Sequence, residues 1–313
     1  MSTPFSRRTL LTAGASLGAA ALISSPTAAA EGKPQSPFRY CFNTATIMGQ
    51  KLPLNEEVDV AAKAGYQGFE PWVRKIEEHV KAGGSLADTR KRIADAGLTV
   101  ESAIGFPDWI NDDDAKRAAG LEQMKRDMDL VAQIGGKRIA APPIGGYNAP
   151  LDPYKVAERY RKVCDLGRQT GVVPQVELWG GSKTLSRLGE VALVLVESAD
   201  PDACAVLDVF HIYRGGSDFG GLQYFSGRNL HVFHINDYPA SPPRAEAKDS
   251  QRVYPGDGVA PLTQILRHLA STGAKLALSL ELFNPEYYKQ DPLAVAKTGL
   301  EKIRNLVEKA MAG

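Results

Sequence analysis

From residue 38 to the C-terminal end, strand-like runs alternate with amphipathic helical stretches, and that alternation leaves few folds open. The apolar runs fall at 38–47, 66–72, 98–106, 137–143, 172–179, 203–210, 230–237 and 275–283. Helical stretches such as LNEEVDVAAKAG and SLADTRKRIADAG lie between them. Gly65, Gly97, Gly135, Gly171 and Gly273 stand where a left-handed residue would close a helix before the next strand. Short connections of this kind force successive strands to run parallel with right-handed crossovers. Eight β-α units in one stretch of uniform composition predict a closed α/β barrel, the single-domain (β/α)₈ or TIM barrel, over residues 31–313. A doubly wound open sheet is the competing architecture. It lacks support, because no G-x-G-x-x-G follows the first strand.

Residues 1–30 stand apart from this pattern. Arg7 and Arg8 precede a weakly apolar Ala/Gly/Leu segment and then a run of small residues ending at Ala30. The segment resembles a twin-arginine export signal, which implies a periplasmic or secreted protein. Its Gly and Ala content and short length argue against a membrane-spanning helix, so no span is expected once the signal is removed. The formal net charge of +1, without any basic block, speaks against a nucleic-acid partner. Cys41, Cys164 and Cys204 are odd in number and far apart, which favours buried thiols over a disulfide framework. Nothing in the sequence decides whether the chain self-associates as a homo-oligomer.

The last four strands share an oddity. Each apolar run finishes in a side chain able to bind a metal: Glu177 in VPQVELW, Asp208 in AVLDVFH, His234 in HVFHIND and Glu281 in LSLELFN. His211 follows Asp208 by three residues. In a barrel these ends converge on one mouth. Three carboxylates gathered there repel one another, and a divalent cation relieves the repulsion. Three oxygen donors with one imidazole and no thiolate favour Mn²⁺, Mg²⁺ or Co²⁺, with Zn²⁺ also compatible.

The series Glu, Asp-x-x-His, His, Glu over strands five to eight resembles the xylose isomerase-like barrel superfamily of sugar isomerases and epimerases. That resemblance implies one divalent metal held by Glu177, Asp208, His234 and Glu281. It also implies that Glu177 and Glu281 exchange protons with substrate carbon from opposite sides. His211 would bind a substrate oxygen, and Arg252, just before the Pro-Gly turn of QRVYPGDG, would contact the sugar. The chemistry agrees with the residue types. A cation on a carbonyl oxygen stabilises the enediolate left when the neighbouring proton departs, and paired carboxylates serve as base and acid. Returning the proton gives epimerisation or isomerisation, whereas a leaving group β to the carbonyl gives a lyase. The sequence LWGGSK after Glu177 departs from the Asn-Arg-Phe/Tyr-Glu usual in ketose 3-epimerases, and five histidines are too few for a trinuclear zinc endonuclease.

Other mouth residues carry weaker signals. Glu70 and Trp179 are assigned to substrate binding, Glu70 with a structural ion pair as its alternative. Trp72 and Trp109 also follow strand ends, where aromatic faces stack on sugars. Asp237 is placed either behind a metal ligand or as a cap, Asn43 lies on the first strand, and residues 238–253 form a polar, proline-rich loop beside the mouth. The reading that follows is a metal-dependent isomerase or epimerase of an unphosphorylated sugar or keto-sugar. The alternatives are a lyase acting on a 3-keto-glycoside or related keto-sugar, and a non-catalytic periplasmic sugar-binding barrel.

Overall fold

The structure, a computed structural model, describes residues 36–312; the export segment expected at residues 1–30 lies outside the described residues. The first half begins with β1 (Phe38–Asn43), a 3₁₀ helix (Thr44–Gln50), α1 (Leu54–Ala64) and β2 (Gly68–Glu70). Next come α2 (Val73–Lys81), α3 (Leu86–Asp95), β3 (Thr99–Val100), α4 (Asp114–Gln133) and β4 (Arg138–Ala141). The second half continues with α5 (Pro153–Thr170), β5 (Val173–Glu177), α6 (Leu188–Ser198), β6 (Cys204–Asp208) and α7 (Val209–Gly215). It ends with β7 (Leu230–Ile235), α8 (Leu262–Ser271), β8 (Leu276–Leu280), α9 (Pro285–Tyr288) and α10 (Pro292–Met311).

The strands form one sheet in the order β3-β2-β1-β8-β7-β6-β5-β4, every ladder parallel. The two ends meet where Ala140 N donates to Ala103 O at 2.9 Å, so the sheet is a curled barrel. The eight strands occur where periodicity places them, each shorter than its apolar run. Two helices rather than one separate β2 from β3. The strand expected over 98–106 keeps only two laddered residues, for a covalent reason. Thr99 N and Glu101 N donate to Gln67 O and Phe69 O, but the next donor on the β2 side would be Pro71, which has no N–H. The chain instead brackets Trp72, with Ile104 N on Pro71 O and Val73 N on Ile104 O.

Two apolar layers hold the barrel. The larger lies between strands and helices. Leu262, Ile265, Leu266 and Leu269 of α8 show the i, i+3, i+4, i+7 spacing that turns one helix face inward. Each such side chain contributes roughly 1.5–3 kcal/mol on burial. The smaller layer fills the lumen with Cys41, Ile104, Ala140, Val206, Val232 and Ala277, capped by Trp72. Gly68 belongs to this layer by subtraction: a Cβ there would stand 2.8 Å from the Cβ of Cys41 and 2.7 Å from Glu101 Cγ. Because side chains alternate along a strand, the lumen-facing positions two residues past Cys41, Val206 and Val232 are Asn43, Asp208 and His234. The five glycines expected to close helices all have positive φ, and the three cysteines are buried and free. Among the described residues, no helix is long and apolar enough to cross a membrane.

Candidate metal centre and active site

Asp208, at the last position of β6, caps α7: its Oδ1 accepts from His211 N at 2.9 Å. Its Oδ2 accepts from Asn236 Nδ2 (2.9 Å) and Arg252 Nη1 (2.8 Å). His234 on β7 and Glu281, just beyond β8, complete a buried group in which one ligand atom from each residue lies within 4.8 Å of the others. The imidazole is oriented from behind. Its Nε2 pairs with Glu70 Oε1 at 3.2 Å, and Glu70 is fixed in turn by Ser279 Oγ (2.6 Å) and Asn43 Nδ2 (3.0 Å). Nδ1 therefore faces the cluster, 3.8 Å from Asp208 Oδ2 and 3.2 Å from Glu281 Oε2, and makes no hydrogen bond. Asn43 reaches both sides, donating also to Glu281 Oε1 (3.1 Å) and accepting from Trp72 Nε1 (3.2 Å).

Arg252 is wholly buried between the rings of Phe210 and Phe283, its guanidinium carbon 4.9 and 5.0 Å from their centroids. One Nη1 bridges Asp208 and Glu281 (2.8 and 2.9 Å), while Nη2 binds Asp249 (2.5 Å) and His211 Nε2 (3.1 Å). A guanidinium only donates, so His211 Nε2 accepts, which assigns the ring proton to Nδ1. That atom is buried without a partner. Burial and the Arg252 charge lower the His211 pKa, consistent with a neutral ring.

Charges are divided unevenly. Burial pushes the Glu177 carboxyl up to about 8, with the Glu281 and Asp208 charges adding to it against the pull of His234. Glu281 meets the same burial cost, but His234 and Arg252 outweigh it and hold its carboxyl below the usual range. Glu70 is likewise held low, by His234 and its Ser279 and Asn43 hydrogen bonds against burial. His234 resists burial because Glu281 and Glu70 flank it, and its pKa lies well above an ordinary imidazole's.

The donor set fits a divalent cation. Two carboxylates and an unpartnered imidazole nitrogen converge, and the nearby Glu177 Oε2 is buried with no hydrogen-bond partner. Three of the four ligands expected from the sequence form the compact group. Glu177 stands outside it, on the wall of the adjoining cavity.

That cavity, about 490 Å³, opens at the carboxyl ends of the strands and is lined by both Glu177 and Glu281. A sequence model described as xylose isomerase-like TIM barrel matches residues 58–306. The chain belongs to this family. An inosose isomerase of Halalkalibacterium halodurans is 30% identical over 278 residues, covering 87% of this chain and 97% of the relative. A 3-dehydroshikimate dehydratase of Pseudomonas aeruginosa is 25% identical over 258 residues, covering 82% of this chain and 40% of the relative. The solved structure of IOLI protein with a bound zinc atom superposes with a TM-score of 0.80 at 23% identity, over 87% of this chain and 99% of that one.

Within this family member, His211, Arg252 and Trp179 line the cavity together with the two glutamates. Glu70 does not; it lies behind His234 as an ion-pair partner, with His234 Nε2 near both of its oxygens and Ser279 and Asn43 donating to Oε2. Trp109 is core, its Nε1 on Pro142 O at 2.6 Å. Asp237 is a cap: its carboxylate accepts four backbone N–H groups, from Tyr238, Gly256, Gly258 and Ala260. The loop after it contributes Ala247, Lys248, Asp249 and Arg252 to the cavity wall. Sequence reasoning missed Asn236, Ser279, Asp249 and the aromatic residues Phe106, Tyr147, Phe210 and Phe283. The period of two would have found Ser279, two residues before Glu281, and Asn236, two after His234.

Proposed function

We propose that this chain is a divalent-metal-dependent isomerase or epimerase of an unphosphorylated keto-sugar or keto-cyclitol, working through an enediolate. One observation carries this: two carboxylates, Glu177 from β5 and Glu281 after β8, line one cavity and flank in ring order the strands that present Asp208 and His234. When bound by Asp208, His234 and Glu281, the cation supplies electrostatic stabilisation for negative charge developing on adjacent substrate oxygens. Glu281, ion-paired with Arg252, is the carboxylate poised to take the proton next to the carbonyl. Glu177, across the cavity, returns a proton. His211 offers its Nδ1–H to a substrate oxygen, and Arg252 keeps His211 in that tautomer. Mn²⁺ suits this oxygen-rich set best, and a structural relative solved with a bound zinc atom supports Zn²⁺ as the alternative.

The inosose isomerase relatives support a cyclic ketone as substrate. The dehydratase relative favours a second reading, in which the same enolising step expels a β leaving group. The paired Arg7 and Arg8 support export, and export favours an unphosphorylated substrate. The test is solvent-deuterium exchange into a keto-cyclitol panel by Mn²⁺-loaded protein from the periplasmic fraction of cells expressing the full chain. Wild type is expected to incorporate deuterium without loss of substrate mass beyond the label. Glu177→Gln, which spares the three-residue cluster, is expected to slow exchange about 10²–10⁴-fold while still binding Mn²⁺. Absence of label across the panel would favour the sugar-binding barrel, loss of water or another group would favour the lyase, and recovery only in the cytoplasm would remove export.

A further inference from the structure

The cavity mouth has two unlike halves. Five aromatic side chains, each supplied by the segment after a different strand, form an unbroken arc. Phe283 (after β8) lies 6.1 Å from Trp72 (β2), Trp72 5.0 Å from Phe106 (β3), Phe106 6.1 Å from Trp179 (β5), and Trp179 6.0 Å from Tyr147 (β4), centroid to centroid. His211, Arg214, Lys248, Asp249 and Arg252, all following β6 or β7, supply the polar part of the lining, which meets the arc where His211 lies 6.3 Å from the Trp179 ring and Arg252 5.0 Å from that of Phe283. Arg214 is tied to the loop there, donating to the carbonyls of Ala247 and Arg244.

Packing alone does not account for the arc. Phe106 and Tyr147 are 36% and 43% exposed, so two of its rings show apolar surface to water at the rim. Gly181 leaves the room Tyr147 uses: a Cβ there would come within 2.9 Å of the Tyr147 hydroxyl. One sugar ring has two faces and can stack on at most two aromatic residues. Five are present, in a cavity of about 490 Å³, a size suited to drug-sized ligands rather than a lone monosaccharide.

We infer that the substrate is bipartite: a polar keto-sugar or keto-cyclitol ring seated between Glu177 and Glu281, carrying a planar apolar substituent that lies along the Trp72–Phe106–Trp179–Tyr147 arc. An aryl glycoside has this chemistry. The inference rests on the proposed enzymatic reading for the polar half alone; the arc specifies the other half. Offset and edge-on contacts with such rings favour flat, unsaturated groups over aliphatic ones of similar size.

The test is tryptophan-fluorescence titration of the Mn²⁺-loaded protein with phenyl β-D-glucopyranoside and methyl β-D-glucopyranoside. The phenyl compound is expected to bind at least tenfold more tightly, about 1.4 kcal/mol. Phe106→Ala, at the solvent rim, is expected to shrink the ratio below threefold with methyl glucoside affinity and the Mn²⁺-induced rise in melting temperature unchanged. Tyr147→Ala, also at the rim, serves as the second variant with the same expectation. Equal affinities, no binding of either glycoside at tens of millimolar, or a ratio that survives both substitutions overturns the inference. Exchange into an unsubstituted keto-cyclitol needs no aromatic group. Exchange without phenyl preference therefore removes only the bipartite substrate, and phenyl preference without exchange removes only the enzymatic reading.

Discussion

Glu70 and His234 divide the work of one imidazole: the carboxylate takes Nε2, and Nδ1 is left facing Asp208 and Glu281. A carboxylate behind a histidine ligand fixes the ring and raises its basicity. Glu70→Gln keeps the shape and removes the charge, and it is expected to weaken Mn²⁺ binding about 10–100-fold by titration calorimetry. Unchanged affinity would show that Glu70 is merely a buried ion pair. Asp208, His234 and Glu281 were legible in the sequence because an ionisable group ending an apolar strand is costly unless something meets it. The partner of that group was not legible. Arg252 reaches Asp208 and Glu281 from a loop, and that contact depends on the Asp237 cap and on the antiparallel pairing of Asp237 with Val253, neither of which has periodicity.

Among the elements, the regular ones followed from pattern and the irregular ones from single residues. The α8 and α10 faces could be read from their spacing, and Asp152-Pro153 and Asp291-Pro292 mark the starts of α5 and α10 by side-chain capping and a first-turn proline. The shortness of β3 depends on Pro71, in a different strand segment, which no reading of residues 98–106 could contain. On α1, Glu57 is buried and one of its oxygens has no hydrogen-bond partner. Burial pushes its carboxyl up to about 8, against the Lys75 charge, from an ordinary value of 4.5. Between those values the folded chain keeps a proton that the unfolded chain releases. Its stabilising contribution is therefore complete below pH 4.5 and is lost as pH rises to 8. Glu57→Gln is expected to melt higher than wild type at pH 8, by at least about 1 kcal/mol, with the gap closing toward pH 5. A difference independent of pH would contradict this.

At the scale of the whole molecule, the closed parallel ring gives the strand ends a common destination. The lumen plug of Cys41, Ile104, Ala140, Val206, Val232 and Ala277 stops beneath the polar layer, and aromatic residues from the following segments wall the space above. Architecture and the convergence of the Asp208, His234 and Glu281 side chains were therefore readable together, since both follow from strand direction. The aromatic arc was less so. Phe106 and Tyr147 sit in the irregular segments IGFPDW and IGGYNA, where no period assigns a side chain to a face.

All of the proposed chemistry depends on one divalent ion at the Asp208–His234–Glu281 cluster. The direct measurement is calorimetric titration of chelator-treated protein with Mn²⁺, with thermal melts alongside. One ion per chain is expected, with a stability gain of about 2.7 kcal/mol at a free concentration one hundred times Kd, and neither effect in His234→Gln. Wild-type protein that takes up no stoichiometric Mn²⁺ or Zn²⁺ and melts at the same temperature with or without them would contradict it.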